Sequence, residues 1–145
     1  MKKGYTLVEL IIVMAILSIL LVPTLSLTKS YKTTINRIKG KSVINDLSNL
    51  ISFSKYYCRY NKVIGKIEVN KVIGEAVFKD MSGRGKVVKS IYLPEGFVFK
   101  TVNLLNVTTE GYVQSDTIRF LDSDKNTYKL TISTGVDTVN IYEGE

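Results

Sequence analysis

The sequence predicts an α+β protein in which one long N-terminal helix packs against an antiparallel β-sheet head. Three observations support this fold class. The stretch Leu7–Leu27 is predominantly apolar, and Glu9 is its single charged residue. Apolar residues then recur at helical spacing as far as Cys58, and beyond Ile67 the spacing changes to two. A chain of 145 residues is long enough for one such domain and an appendage.

The apolar stretch is long enough to cross a bilayer, since a helix of this length reaches about 30 Å. A secretory signal peptide fits poorly, because no A-x-A-like cleavage site follows and a carboxylate lies inside the apolar run. A plain membrane anchor leaves Glu9 unexplained. An acid in a transmembrane helix costs at least ~2.5 kcal/mol and usually has a partner.

A third interpretation gives Glu9 a partner. Cleavage between Gly4 and Tyr5 would create a new α-amino group on Tyr5, and Glu9 lies four residues further along the same helix face. In a bundle of such helices, Glu9 of one subunit could pair with the Tyr5 amine of the next. Each charge would then offset the desolvation of the other.

The segment KKGYTLVELIIVMAIL resembles the prepilin leader and N-terminal helix of type IV pilins and type II secretion pseudopilins. The resemblance implies cleavage after Gly4 by a prepilin peptidase, N-methylation of Tyr5, and a role for Glu9 in filament assembly. The implied partners are other pilins or pseudopilins, the membrane and an inner-membrane assembly platform.

The resemblance also implies a location. The chain would cross the cytoplasmic membrane once, with its N-terminus in the cytoplasm and its head on the outer face, before entering an extracellular or periplasmic filament. The charges oppose this topology, because more basic residues follow the apolar stretch than precede it. The leader motif is the more specific of the two signals and decides the prediction.

Beyond the apolar stretch, the helix is predicted to continue to Asn61 as an amphipathic half. Polar residues, Asn36 among them, fill its opposite face, and Gly40 predicts a local loosening. The apolar stripe at helical spacing consists of Tyr31, Ile35 and Ile38, followed by Val43, Leu47, Leu50, Ile51, Ser54, Tyr57 and Cys58.

The head is predicted to contain about seven antiparallel strands between Val63 and Tyr142, joined by short links. One apolar sheet face would bury the helix stripe. Turns are predicted at Asp80–Gly85, Pro94–Gly96, Asp122–Asn126 and Thr134–Gly135. The predicted organisation is a leader at 1–4, a transmembrane or filament-core helix at 5–27, an amphipathic helix at 28–62 and the head at 63–145.

Two later segments refine the resemblance. Residues 47–69 and 116–145 resemble the helix end, first strand and closing hairpins of H-type minor pseudopilins and FimT-like minor pilins. Competence pseudopilins of Gram-positive bacteria share this plan. The resemblance implies a minor structural subunit of a type IV pilus-like or type II secretion filament. The alternative is a competence pilus subunit that binds DNA for uptake.

A basic stretch follows the apolar helix, and the net charge of the chain is +7. Its cations are predicted to contact an anionic surface, with lipid headgroups as the default and DNA as the alternative. The sequence shows no platform of several aromatic residues that would favour DNA. The residues are Lys29, Lys32, Arg37, Lys39 and Lys41.

The remaining motifs give little support to catalysis. Asp122, Asp124 and Asn126 begin a pattern like that of a calcium loop, but Thr127 and Ser133 replace the required Gly and Glu. A hairpin turn is the favoured interpretation, with calcium as the alternative and no other cofactor. Because the chain has no His and a single cysteine in the apolar stripe, we predict that it is not an enzyme.

Overall fold

The protein is described from a computed structural model, which covers residues 6–133 and 139–143, with side chains described at 6–19 and 30–133. Within these described residues one helix precedes eight strands, and the chain divides into two compact units, residues 1–35 and 36–145. The elements are α1 (Leu7–Asn61), β1 (Gly65–Asn70), β2 (Glu75–Asp80), β3 (Lys86–Tyr92), β4 (Val98–Phe99), β5 (Leu104–Val107), β6 (Asp116–Leu121), β7 (Thr127–Ile132) and β8 (Val139–Glu143).

The first unit contains the beginning of α1. Every described side chain from Leu7 to Ile19 is exposed, although most of them are apolar. Among the residues that the structure describes, no helix combines the length and the apolar character needed to cross a membrane. The transmembrane assignment of residues 5–27 stays a prediction.

The second unit contains the amphipathic part of α1, where the predicted stripe is confirmed from Val43 to Cys58. These residues are buried except Tyr57, which is half-buried. The prediction was wrong at the start of the stripe, since Tyr31 and Ile38 are exposed and Ile35 is half-buried. The spacing missed Ile44, which is buried beside Val43. The prediction for Asn36 was wrong, since this polar side chain is buried rather than on the solvent face.

The strands form two four-stranded sheets, in the orders β3-β2-β1-β5 and β4-β6-β7-β8, and all neighbours are antiparallel. The α+β prediction is confirmed, but the prediction of one sheet was wrong and strands β2 and β5 were missed. In β2, three consecutive residues (Ala76, Val77 and Phe78) are buried, which removes the alternation that identifies a strand. Strand β5 has only four residues. The predicted turn at Thr134–Gly135 lies outside the described residues.

Aromatic rings from both sheets complete the core against α1. The Phe78 ring contacts the rings of Phe53 and Tyr57 edge-on, at centroid distances of 6.2 and 5.5 Å. In the second sheet, Phe120 and Tyr128 stack at 5.0 Å. Each fully buried aromatic or aliphatic side chain contributes about 1.5–3 kcal/mol. This cluster therefore fixes both sheets to the same stripe of the helix.

Gly40 is one place where a side chain would not fit. The helix is continuous at this residue, so the predicted loosening was wrong. A Cβ atom on Gly40 would lie 2.4 Å from Cζ of Tyr128, because the tyrosine ring packs directly on the helix backbone. The glycine thus permits close contact between α1 and strand β7.

Candidate functional site

The N-terminus of α1 is held by a reciprocal pair of side chains, Thr6 and Glu9. The Thr6 amide donates to Oε2 of Glu9 at 2.8 Å, and the Thr6 hydroxyl donates to the same oxygen at 3.0 Å. The Glu9 amide donates to Oγ1 of Thr6 at 3.3 Å. This is a capping box, in which two side chains satisfy backbone amides that the first helical turn leaves without partners.

The capping box shows a second use for the carboxylate that the sequence interpretation missed. Thr6 was assigned no role of its own, although the T-x-x-E spacing is a known signal of a helix start. Both hydrogen bonds from Thr6 reach the same carboxylate oxygen of Glu9. Among the described residues, its Oε1 accepts no hydrogen bond. One oxygen thus caps the helix of its own chain, and the described residues place no hydrogen bond on the other.

Gly4 and Tyr5, the predicted cleavage site, lie outside the described residues. Their geometry relative to Glu9 therefore stays a prediction. The helix begins at Leu7 and is capped by Thr6, so the predicted cut precedes the ordered helical hydrogen bonds by two residues. Removal of 1–4 would leave the capping box intact.

The segment Asp122–Asn126 is the turn between β6 and β7, as predicted. Asp122 is 4% exposed, and its two carboxylate oxygens accept hydrogen bonds from within the hairpin. Oδ1 accepts from the amides of Asp124 and Asn126, and Oδ2 accepts from the Asn126 side chain and the Tyr128 hydroxyl. Within the described part of the chain, no group of three or more His, Cys, Asp or Glu side chains is placed to hold a metal ion.

Asn36 contacts this turn from the helix. Its side-chain amide donates to Oγ of Ser123 at 2.9 Å and to Oδ2 of Asp124 at 2.8 Å. These bonds explain why a polar residue is buried there. The turn that resembled a calcium loop therefore connects the second sheet to α1.

The predicted anionic-surface residues are partly described. Lys32, Arg37 and Lys39 are exposed, and Lys41 is exposed with an interaction of its own. The side chain of Lys29 lies outside the described residues. At the other end of α1, Tyr56 and Tyr60 stack at 5.9 Å on the exposed surface. The i, i+4 spacing of these two tyrosines was the signal that the sequence interpretation overlooked.

Cys58 is buried beside the Tyr57–Asp80 hydrogen bond. Burial, together with the negative charge of Asp80, raises the pKa of the thiol to about 11. The thiol is therefore protonated at neutral pH, and a protonated thiol is a poor nucleophile. This agrees with a structural role for the cysteine in the apolar stripe.

Comparisons with known proteins found a motif match at the N-terminus and a fold match over most of the chain. Residues 1–25 match the prokaryotic N-terminal methylation motif. No curated protein matches the chain in sequence.

Solved structures that are similar in fold include the following three. Two are of the minor pseudopilin EpsH from the type 2 secretion system of Vibrio cholerae. One has a TM-score of 0.60 at 10% identity and covers 72% of this chain and 97% of that one. The other has a TM-score of 0.59 at 12% identity, covering 77% and 98%. The type IV minor pilin FimU of Pseudomonas aeruginosa has a TM-score of 0.55 at 13% identity, covering 75% and 90%.

These findings confirm the resemblance at two levels. The N-terminus carries the methylation motif, and the helix with its two antiparallel sheets has the fold of a minor pseudopilin or minor pilin.

Proposed function

We propose that this protein is a minor structural subunit of a type IV pilus-like or type II secretion filament. The observation that carries the proposal is the conjunction of the N-terminal methylation motif at residues 1–25 with a pseudopilin-like head. Neither feature supplies a catalytic group. The function is assembly rather than an enzymatic reaction.

The proposed sequence of events begins in the membrane. A prepilin peptidase cuts between Gly4 and Tyr5, and the new amine of Tyr5 is methylated. An assembly platform then transfers the subunit from the cytoplasmic membrane, with its head on the outer face, into a filament. Glu9 acts twice in this proposal: Oε2 caps its own helix through Thr6, and Oε1 receives the Tyr5 amine of a neighbouring subunit.

The cleavage step is tested by the Gly4→Val variant expressed with the prepilin peptidase. Mass spectrometry should find the leader still attached, because a branched side chain at the cut site excludes the peptide from the protease. Gly83→Val, in an exposed loop where an added Cβ would meet no other residue within 4 Å, is the matched control and should be cut normally. Normal processing of Gly4→Val would reject the cleavage site.

The assembly step is tested by two variants of Glu9. Glu9→Gln keeps an oxygen that accepts the Thr6 hydrogen bonds but removes the charge, whereas Glu9→Val removes both. Both variants should insert and be cut, and both should fail to enter filaments. If Glu9→Gln assembled like the wild type, helix capping would explain the residue and the proposed amine pairing would be wrong.

A second candidate function is retention of DNA by a competence filament. The exposure of Lys32, Arg37 and Lys39 on α1 favours it, since phosphates are bound by accessible cations. The full-length chain in detergent micelles should then retain duplex DNA in a salt-dependent manner. The triple variant Lys32→Gln, Arg37→Gln, Lys39→Gln should lose this retention. Absence of retention at low salt would dismiss the candidate.

A further inference from the structure

Three cations lie side by side across the second sheet. Arg119 on β6 is directly opposite Lys129 on β7. The Lys100 amide donates to the carbonyl of Arg119 at 2.8 Å, which continues the pairing of β4 with β6 and places Lys100 opposite Arg119. Residues opposite one another in antiparallel strands share a face, and all three side chains are exposed. They form a row, here called the cation row, of Lys100, Arg119 and Lys129.

The cation row opposes the stability of the isolated subunit. Neighbouring strands are about 4.8 Å apart, so the backbone positions that carry the three charges lie within roughly 10 Å of one another. Like charges placed directly opposite in a sheet are destabilising. Among the described residues, no carboxylate forms an ion pair with any of the three. An anion bound from outside the chain would relieve this repulsion.

A polar groove adjoins the row on the same sheet. Thr117 and Thr131 are each two residues along their strands from Arg119 and Lys129, and their hydroxyls lie 3.2 Å apart. Together with their neighbours they line a groove of about 440 Å³. The lining residues are Ser115, Asp116, Thr117, Thr131, Ile132 and Ser133.

The groove contains a carboxylate held in a fixed orientation. The Asn103 side chain, which is only 7% exposed, donates to Oδ2 of Asp116 at 2.7 Å. The Thr117 amide donates to Oδ1 of Asp116 at 2.7 Å. Each carboxylate oxygen retains a lone pair that can accept a further hydrogen bond. Because Asp116 alternates with Thr117 along β6, this carboxylate lies on the opposite face of the strand from Arg119. The groove therefore presents the hydroxyls of Thr117 and Thr131 on the face of the cation row.

We propose that this face binds a polymer of alternating phosphodiester and polyol units. Its phosphates would contact the cation row, and its hydroxyl groups would exchange hydrogen bonds with Thr117 and Thr131. The hydroxyls of Thr117 and Thr131 beside the row favour a polyol chain over a nucleic acid, because they can exchange hydrogen bonds with its free hydroxyl groups. The interaction goes beyond filament assembly and does not depend on it.

The test measures binding of the full-length chain in detergent micelles to poly(glycerol phosphate). Inorganic polyphosphate and duplex DNA of equal charge are the comparison ligands. The polyol polymer should bind tightest, and the double variant Thr117→Val, Thr131→Val should reduce its affinity to that of polyphosphate. If polyphosphate or DNA bound the wild type as tightly, the polyol assignment would be overturned.

The cation row is tested by the triple variant Lys100→Gln, Arg119→Gln, Lys129→Gln. Affinity for poly(glycerol phosphate) should fall at least about tenfold. The slope of log affinity against log salt should fall by about 2, since each phosphate contact on a flexible polyanion contributes roughly 0.7. An unchanged affinity would refute the site.

Two controls accompany this variant. The corresponding helix triple variant (Lys32→Gln, Arg37→Gln, Lys39→Gln) removes two lysines and one arginine and should leave polyol polymer binding unchanged. A loss there would place the site on the helix and reject the proposal. The sheet variant should unfold at the same temperature as the wild type or higher, because repulsion is removed. A lower temperature would mean that the cations have partners within the chain, which also contradicts the proposal.

Discussion

The two halves of α1 bury their side chains in opposite ways. Between Leu7 and Ile19 every large apolar side chain is at least 49% exposed. Between Val43 and Cys58 the buried hydrophobic residues of the stripe are at most 3% exposed. The two halves differ in what their apolar side chains pack against. The second half has two sheets of its own chain to pack against, whereas the exposed apolar surface of the first half fits a helix whose proposed partners are lipid and neighbouring subunits.

The largest effect on the stability of the head should come from truncating the stripe. Leu50 is fully buried, so Leu50→Ala should destabilise the head by about 2–5 kcal/mol through lost contacts and a residual cavity. Ile12→Ala, in the exposed half, is the control and should leave head unfolding unchanged. Denaturant unfolding followed by tyrosine near-ultraviolet circular dichroism measures both. If both variants lowered the free energy of unfolding equally, the two halves of α1 would not differ in their contribution to head stability.

Gly40 marks where the sheets begin to constrain the helix. Gly→Ala in a helix normally stabilises by about 1 kcal/mol. Here the new Cβ would collide with the Tyr128 ring, so Gly40→Ala should instead destabilise by about 1–3 kcal/mol. Gly83→Ala, in open space, should be close to neutral. A stabilised Gly40→Ala variant would show that Tyr128 does not pack against this turn of the helix.

Asn36, one helical turn before Gly40, tests where contact between α1 and the head begins. Asn36→Ala removes hydrogen bonds to Ser123 and Asp124 and should cost about 1–2 kcal/mol. Asn49→Ala, at an exposed position of the same helix, should be neutral or slightly stabilising. Hydrogen exchange of the Asp122–Asn126 turn should rise only in the Asn36 variant. If exchange did not change, the contact between α1 and the head would begin after Asn36.

Asp80 gives the buried half a pH dependence at its far end. Hydrogen bonds from Ser82 lower the pKa of the Asp80 carboxyl below its ordinary value, and the Tyr57 hydroxyl adds to this. A lowered folded-state pKa contributes stability that is present above the ordinary pKa and is lost as the pH falls through the folded-state value. Unfolding free energy measured from pH 6 down to about 2 should fall less steeply in Asp80→Asn than in the wild type. Asp46→Asn, at an exposed helix position, serves as the control, and identical profiles for wild type and Asp80→Asn would contradict the assignment.

The smallest expected effect is that of calcium on the turn beside Asn36. Both oxygens of Asp122 already accept hydrogen bonds within the hairpin, and Asp124 accepts one from Asn36. Calorimetric titration of the full-length chain should therefore give no heat of binding. Saturable heat that disappears in Asp124→Asn would establish a calcium site and overturn the hairpin interpretation.

Predictability from sequence varied between elements for physical reasons. The stripe from Val43 to Cys58 was predicted correctly because burial on one side of a helix imposes a 3.6-residue period. Strand β7 was predicted for the corresponding reason, since Tyr128, Leu130 and Ile132 alternate with outward-facing residues. Strand β2 was missed because burial on both faces leaves no period to detect.

The N-terminal site was only partly predictable. The position of Glu9 in an apolar run indicated that the carboxylate needs a partner. The apolar run alone did not indicate that Thr6 donates to one oxygen of Glu9. The T-x-x-E spacing was the signal for that contact. The motif match at residues 1–25 agrees with the predicted leader, while the geometry of Gly4 and Tyr5 stays a prediction.

By itself, the sequence determined the periodic features: the apolar helix start with its single acid, the amphipathic stripe and most of the antiparallel strands. Local spacing reports which side of an element is buried, and this was enough to predict the fold class. Only the tertiary structure decided which residues far apart in the sequence come into contact. Asn36 contacts Asp124, Tyr128 packs on Gly40, and Lys100, Arg119 and Lys129 come together in one row. Such contacts depend on strand order and register, which residues far apart in the chain set jointly and no local pattern encodes.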